Sequence, residues 1–287
     1  MRWEGQEGSS NVEDRRGQRA VGKVGGGIGC CGVLLVLVIA LITGKDPRRI
    51  LALLGGSPTE SRTETSRSTR PPAGPPRDEL GRFASVVLRD TEKTWTELLA
   101  SSGSRYEEPK LVLFTRSWPT ACGRGSAATG PFYCPADRKV YIDLSFFDEL
   151  SRRFGAPGDF AQAYVIAHEV GHHVQNLDGT SGQVHLRERR SSKVQSNALS
   201  VRLELQADCY AGVWGFHARK RGLIEPGDFE EGLRAAAAIG DDQLQQMARG
   251  TVQPESFTHG SSEQRVEWLR RGLQSGEPSA CNTFGSR

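Results

Sequence analysis

The sequence predicts a helix-rich α+β domain with a small sheet, preceded by one transmembrane helix. Three observations predict it: an apolar helical segment carrying histidines near the middle of the chain, two short strand-like runs upstream of it, and a long uncharged stretch near the N-terminus. The chain has 287 residues, room for one domain of about 200 residues with appendages. Its net charge of +3 is too small to imply nucleic-acid binding, and no internal repeat or phosphate-binding glycine loop is present.

Residues 1–23 are polar and charged, with Glu7, Glu13, Asp14, Arg15, Arg16, Arg19 and Lys23. They offer too little apolar surface for a core and are expected to form a disordered cytoplasmic tail. Residues 24–44 carry no charge and include the run Val33 to Ile42. At 1.5 Å per residue this stretch spans about 31 Å, matching a hydrocarbon core. Arg15, Arg16, Arg19 and Lys23 before it, against Lys45, Arg48 and Arg49 after it, favour a single-pass cell-membrane protein with its N-terminus cytoplasmic and its main domain outside. The long charged leader and the lack of a small-residue cleavage site argue against a removed signal peptide. Cys30 and Cys31 read as small residues facing lipid. Residues 45–77 follow as a juxtamembrane segment, apolar only over Ile50 to Leu54, and a tether rich in Ser, Thr and Pro.

The folded domain is expected over residues 78–287. Asp78 to Ala100 reads as an amphipathic helix, Leu111 to Phe114 as a strand, Ser117 to Tyr133 as a glycine-rich loop, and Lys139 to Asp143 as a second strand leading into a helix with Phe146 and Phe147. At a sheet edge, Val140 to Asp143 would offer a peptide a pairing partner. Cys122, Cys134, Cys209 and Cys281 all lie beyond the predicted span, and an oxidising compartment would let them form two bridges. Of the three pairings, Cys122–Cys134 and Cys209–Cys281 are favoured, the first stapling the glycine-rich loop and the second tying the tail to a helix.

The chemistry concentrates in Ala163 to Val174, an apolar run broken by His168, Glu169 and His172. On a helix, residues four apart share a face, so both imidazoles can aim at one Zn²⁺ while Glu169 reaches a water beside it. A catalytic zinc takes a third protein ligand and keeps one position open. Asp178 is a local candidate, but Gln175 stands where the longer motif has its turn-forming glycine. The better candidate is Glu204, on the long apolar helix expected over Ser196 to Arg221, with Asp208 one turn on. A carboxylate pair on such a helix needs a cation or donors to offset its desolvation; Glu204 as ligand and Asp208 as acceptor for a ligand histidine's free N–H supply both. Further on, Asp241 and Asp242 are expected to cap a helix, and Ser261 or Ser262 to cap another running to Leu273. His259 precedes that last helix, where a loop histidine can donate to the oxyanion formed when water attacks a carbonyl.

Three segments together, Ala167 to Asn176, Glu204 to Trp214 and Thr258 to Arg265, resemble the bacterial family of putative neutral zinc metallopeptidases. Arg2 to Gly5 and Ser10 to Gly17 are similar to that family's opening, so the likeness covers nearly the whole chain except the linker. The resemblance implies a membrane-anchored, zincin-like metallopeptidase with one Zn²⁺ per chain, a Glu third ligand on a second helix and a peptide or protein substrate. It also favours the oxyanion role for His259. Two other readings stay open: a non-catalytic, zinc-stabilised scaffold at the membrane surface, for which Glu169 has no use, and a zinc hydrolase acting on a non-peptide amide.

Overall fold

A computed structural model describes residues 1–18, 76–126 and 130–285. The first helix, α1 (Glu79–Ser101), starts where Asp78 accepts a hydrogen bond from the Gly81 amide, and it presents Phe83, Val87 and Trp95 to the interior. Two strands follow that are buried on both faces, β2 (Lys110–Phe114) and β6 (Lys139–Asp143), and they pair in parallel. Period-two alternation divides their side chains. Leu111, Leu113, Val140 and Ile142 enter the main core, while Val112, Phe114 and Tyr141 form a second cluster on the other face with Cys134.

Between them run a hairpin of β3 (Ser117–Thr120) and β4 (Gly123–Ser126) and a short strand, β5 (Phe132–Cys134), antiparallel to β6. The main sheet has the order β1-β2-β6-β5, with β1 formed by Val12–Asp14. β6 is therefore internal, with both edges paired. The expectation that Val140 to Asp143 offers an edge to a peptide is corrected: β5 holds the outer position on that side.

The strand at the opposite edge, β1 (Val12–Asp14), comes from the N-terminus and pairs in parallel with β2. Residues expected to be a disordered tail are thus built into the domain. Trp3 meets the Phe83 ring edge-on at 5.5 Å, the Arg2 amide donates to the Leu223 carbonyl at 2.8 Å, and the buried Ser9 hydroxyl donates to Glu92 at 2.5 Å. The Met1 ammonium lies 2.9 Å from Asp159 and 3.3 Å from Asp228. Arg16 bonds Asp78 at the start of α1. The segment docks by backbone pairing and by charged partners far along the chain, and composition alone registers neither.

This placement corrects the fold expectation. Among the described residues no helix is long and apolar enough to cross a membrane, and the predicted span at residues 24–44 lies outside the described residues, as do Cys30, Cys31 and Ile50 to Leu54. Residues 1–18 and 76–285 belong to one folded body joined through a shared sheet. Among the described residues the fold is a helix-rich α+β domain, and the transmembrane helix expected ahead of it is not one of its elements.

The helical layer is formed by α2 (Ser145–Arg152), α3 (Asp159–Leu177), α4 (Thr180–Glu188), α5 (Lys193–Lys220), α6 (Asp228–Ala238), α7 (Asp241–Arg249) and α8 (Ser262–Ser275). α3 and α5 cross at Gly171, where a Cβ would stand 3.0 Å from the Ala207 carbonyl oxygen. α5 and α8 approach still more closely, at Gly212 against Gly272. Glycine inside a helix costs about 1 kcal/mol relative to alanine, and here it permits backbone approaches that a methyl group would prevent.

Both favoured disulfides are present, Cys122–Cys134 across 12 residues and Cys209–Cys281 across 72. The first fixes the hairpin to β5; the second fixes the C-terminus to α5. By loop entropy the two are worth about 3 and about 4 kcal/mol.

Candidate metal centre and active site

α3 is buried on nearly every side from Phe160 to Gln175, so each polar group on it needs a partner or a use. His168 and His172 lie one turn apart, and the Gly171 crossing brings α5 against them with Glu204 facing both. His168 Nε2 is 3.2 Å from Glu204 Oε2, and His172 Nε2 is 3.4 Å from Glu204 Oε1. One ligand atom from each of the three residues lies within 4.8 Å of the others.

The other ring nitrogens are committed elsewhere. His168 Nδ1–H donates to Asp208 at 2.8 Å, and His172 Nδ1–H donates to the Gln175 side-chain oxygen at 2.9 Å. Gln175 is itself oriented, because its amide nitrogen donates to the Leu203 carbonyl at 2.7 Å and to Gln206 at 3.0 Å. Both imidazoles are thereby held in the tautomer that leaves an Nε2 lone pair pointing at Glu204. Protonated, the two imidazoles pair with Glu204, which raises both of their pKa values; deprotonated at Nε2, they and Glu204 turn three electron-pair donors to one point, a donor set that fits Zn²⁺.

Asp208 is fully buried and held on three sides, by His168, by the Tyr164 hydroxyl at 2.6 Å and by Arg265, whose Nε and Nη2 each approach at 2.9 Å. Burial alone would raise its pKa, but the Arg265 and His168 charges outweigh burial and hold it at about 2. Burial likewise pushes Glu204 upward, and the two histidines overcome it to keep that carboxyl well below its ordinary range.

Glu169 behaves differently. It is 7% exposed, and among the described residues no hydrogen bond reaches its carboxylate. Desolvation raises its pKa despite the neighbouring histidines. Together with the three-residue cluster it lines a cavity of about 510 Å³ bounded by β5, α2, α3, α5 and the loops before α3 and α8.

His259 also lines the cavity, half exposed, at the end of a loop fixed by one residue. Asp241 accepts from the backbone amides of Thr258, His259 and Gly260 and from His259 Nδ1 at 3.2 Å. That contact raises the His259 pKa. Asp242 accepts from Ser262. The two aspartates hold the 258–262 loop rather than capping their own helix, whose N-cap is Gly240. Ser261 caps α8 as expected, in a reciprocal pair with Gln264.

Asp178, the local alternative for third ligand, is no part of the cluster; it ends α3 and accepts from the Thr180 amide. A second group of carboxylates, Asp159, Asp228 and Glu231, gathers around the Met1 ammonium. Sequence reasoning overlooked Gln175, Asp241, Arg265, Tyr164 and His173. His173 is fully buried, donates through Nε2 to the Glu107 carbonyl at 2.6 Å and accepts the Tyr133 hydroxyl at Nδ1, fastening α3 to β5. Most of their partners lie far along the chain, but Gln175 stands three residues from His172, and His173 next to His172 was visible as a doubled histidine.

A family model described as putative neutral zinc metallopeptidase matches residues 1–284. The chain belongs to this family. The match includes the N-terminal strand, in keeping with its place in the sheet. Among similar proteins of the family, an Escherichia coli K12 protein, Uncharacterized protein YpfJ, is 48% identical, and the alignment covers 99% of each chain. Uncharacterized protein Rv2575 of Mycobacterium tuberculosis H37Rv is 44% identical over 68% of this chain and 67% of its own. No solved structure matches. Membership of the family implies zinc and a peptide or protein substrate in general terms.

Proposed function

We propose that the protein is a zinc-dependent peptidase in which His168, His172 and Glu204 hold one Zn²⁺ and Glu169 is the general base. The observation that carries this is Glu169 itself, a buried residue whose carboxylate accepts no hydrogen bond among the described residues and opens on a cavity beside three converging metal donors. A closed structural metal site has no use for it.

When bound, zinc supplies Lewis acidity that lowers the pKa of a water and polarises a carbonyl. Glu169, with its pKa raised by desolvation, takes the proton of the attacking water and returns it to the leaving amine. His259, held by Asp241 on the far side of the cavity, donates to the oxygen that gains charge. Asp208 orients His168, and Gln175 orients His172. β5 offers a short edge along which an extended peptide can lie. Two disulfides support work in an oxidising, extracytoplasmic compartment.

The test is metal analysis of the dialysed chain beside a screen for peptide hydrolysis. Expected are one zinc per chain and, in Glu169→Gln, retained zinc with turnover reduced about 10²–10⁴-fold. Normal turnover in that variant, or a folded wild type that takes up no zinc, refutes the reading.

A further inference from the structure

Resting on the peptidase reading, we propose that the cavity beside Glu169 is a subsite for a large apolar side chain, so that the substrate is a peptide with an aromatic or long aliphatic residue next to the scissile bond. Phe146, Phe154, Pro131, Val165 and Leu244 supply much of the wall. Phe146 and Phe154 are only half-buried, and full burial of such a ring is worth about 1.5–3 kcal/mol.

Their positions are fixed. β5, which borders the cavity, is anchored by Phe132 stacking on Tyr141 on the sheet's other face, with centroids 5.1 Å apart, and is tied to the hairpin by Cys134. Phe146 touches the Gly130 turn, where a Cβ would stand 3.6 Å from its ring. Val165 lies one turn before Glu169 on α3, so the apolar wall adjoins the residue proposed to move the proton.

The other ionisable groups on the same wall are already engaged. His168, His172 and Glu204 are the proposed zinc ligands, Arg265 is held by Asp208 and Tyr164, His259 by Asp241, and His185 by Glu188. The Tyr133 hydroxyl is engaged by His173 and Asn176. Among the described residues of this wall, Glu169 is the ionisable group without a hydrogen-bond partner. A charged substrate side chain entering here would lose its water and meet no counter-charge except the base, whereas an apolar one would cover the exposed ring faces.

The experiment uses the zinc-loaded protein and a set of quenched peptides identical but for one residue, Phe, Leu, Gly, Asp or Lys, with cleavage sites read by mass spectrometry. The same peptides are titrated calorimetrically into Glu169→Gln. Expected is cleavage beside Phe or Leu, with kcat/KM about 10²-fold above the Gly peptide, a similar preference in binding, and no productive Asp or Lys. Equal cleavage and binding across the set overturns the subsite and leaves the peptidase reading standing. Selective binding of the Phe peptide with no cleavage by wild type keeps the subsite and overturns the peptidase reading. Phe146→Lys and Phe154→Lys, checked for folding by thermal melts, should each lower the Phe preference at least tenfold and admit the Asp peptide; unchanged selectivity in both folded variants overturns the proposal.

Discussion

Glu169 and Glu204 stand on crossing helices and line one cavity, yet their surroundings drive them in opposite directions. Glu204 faces two imidazoles, which hold its pKa well below the ordinary value; Glu169 accepts no hydrogen bond among the described residues, and desolvation raises its pKa. Two like groups in one low-dielectric site acquire separate tasks because their partners differ. The carboxylate with partners suits a cation, and the one without partners suits a proton.

The sharpest way to break this contrast is Glu204→Ala. Zinc affinity is expected to fall by more than about 10²-fold, exceeding the usual loss of an orienting residue, while Glu169→Gln leaves affinity within about threefold. Competition with a chelator reads both, and equal losses would show that the two glutamates do not divide the work. Next in size is Arg265→Met, which strands Asp208 as a buried charge. Removing one partner of a buried pair costs about 3–5 kcal/mol, to be read in urea unfolding, and Asp208→Asn combined with it should recover part of the loss. An unchanged midpoint would mean that Asp208 needs no counter-charge. Smaller still is Gln175→Ala, which frees His172 to turn. Zinc affinity should drop about tenfold with little change in stability; full affinity would show that the crossing of α3 and α5 alone orients the ring.

Legibility followed the distance between partners. His168, Glu169 and His172 were readable because one helical turn sets their geometry, and Glu204 with Asp208 because a carboxylate pair on an apolar helix is costly without a cation. Gln175 stood in plain view but was judged only as a missing glycine. Asp241 was read as a helix cap because its partners, the amides of Thr258 to Gly260, lie 17 to 19 residues away. The N-terminal strand was the largest miss. Its polar composition describes an exposed tail equally well, and β1 finds its partner in β2, about 100 residues along the chain.

By itself the sequence determined the helical motif, the two strands, the favoured cysteine pairs and a second helix whose Glu204 the fold brings against both histidines. Each follows from local periodicity or from the cost of burying charge. Only the tertiary structure decided that β6 is internal and β5 the edge, that residues 1–18 complete the sheet instead of forming a separate tail, and that Arg265, Tyr164 and Gln175 hold the groups around the cavity. Those outcomes depend on long-range complementarity, on glycine positions where helices cross and on backbone hydrogen bonds between distant segments. Residue type leaves those backbone bonds almost unmarked, because every residue except proline carries the same donor and acceptor.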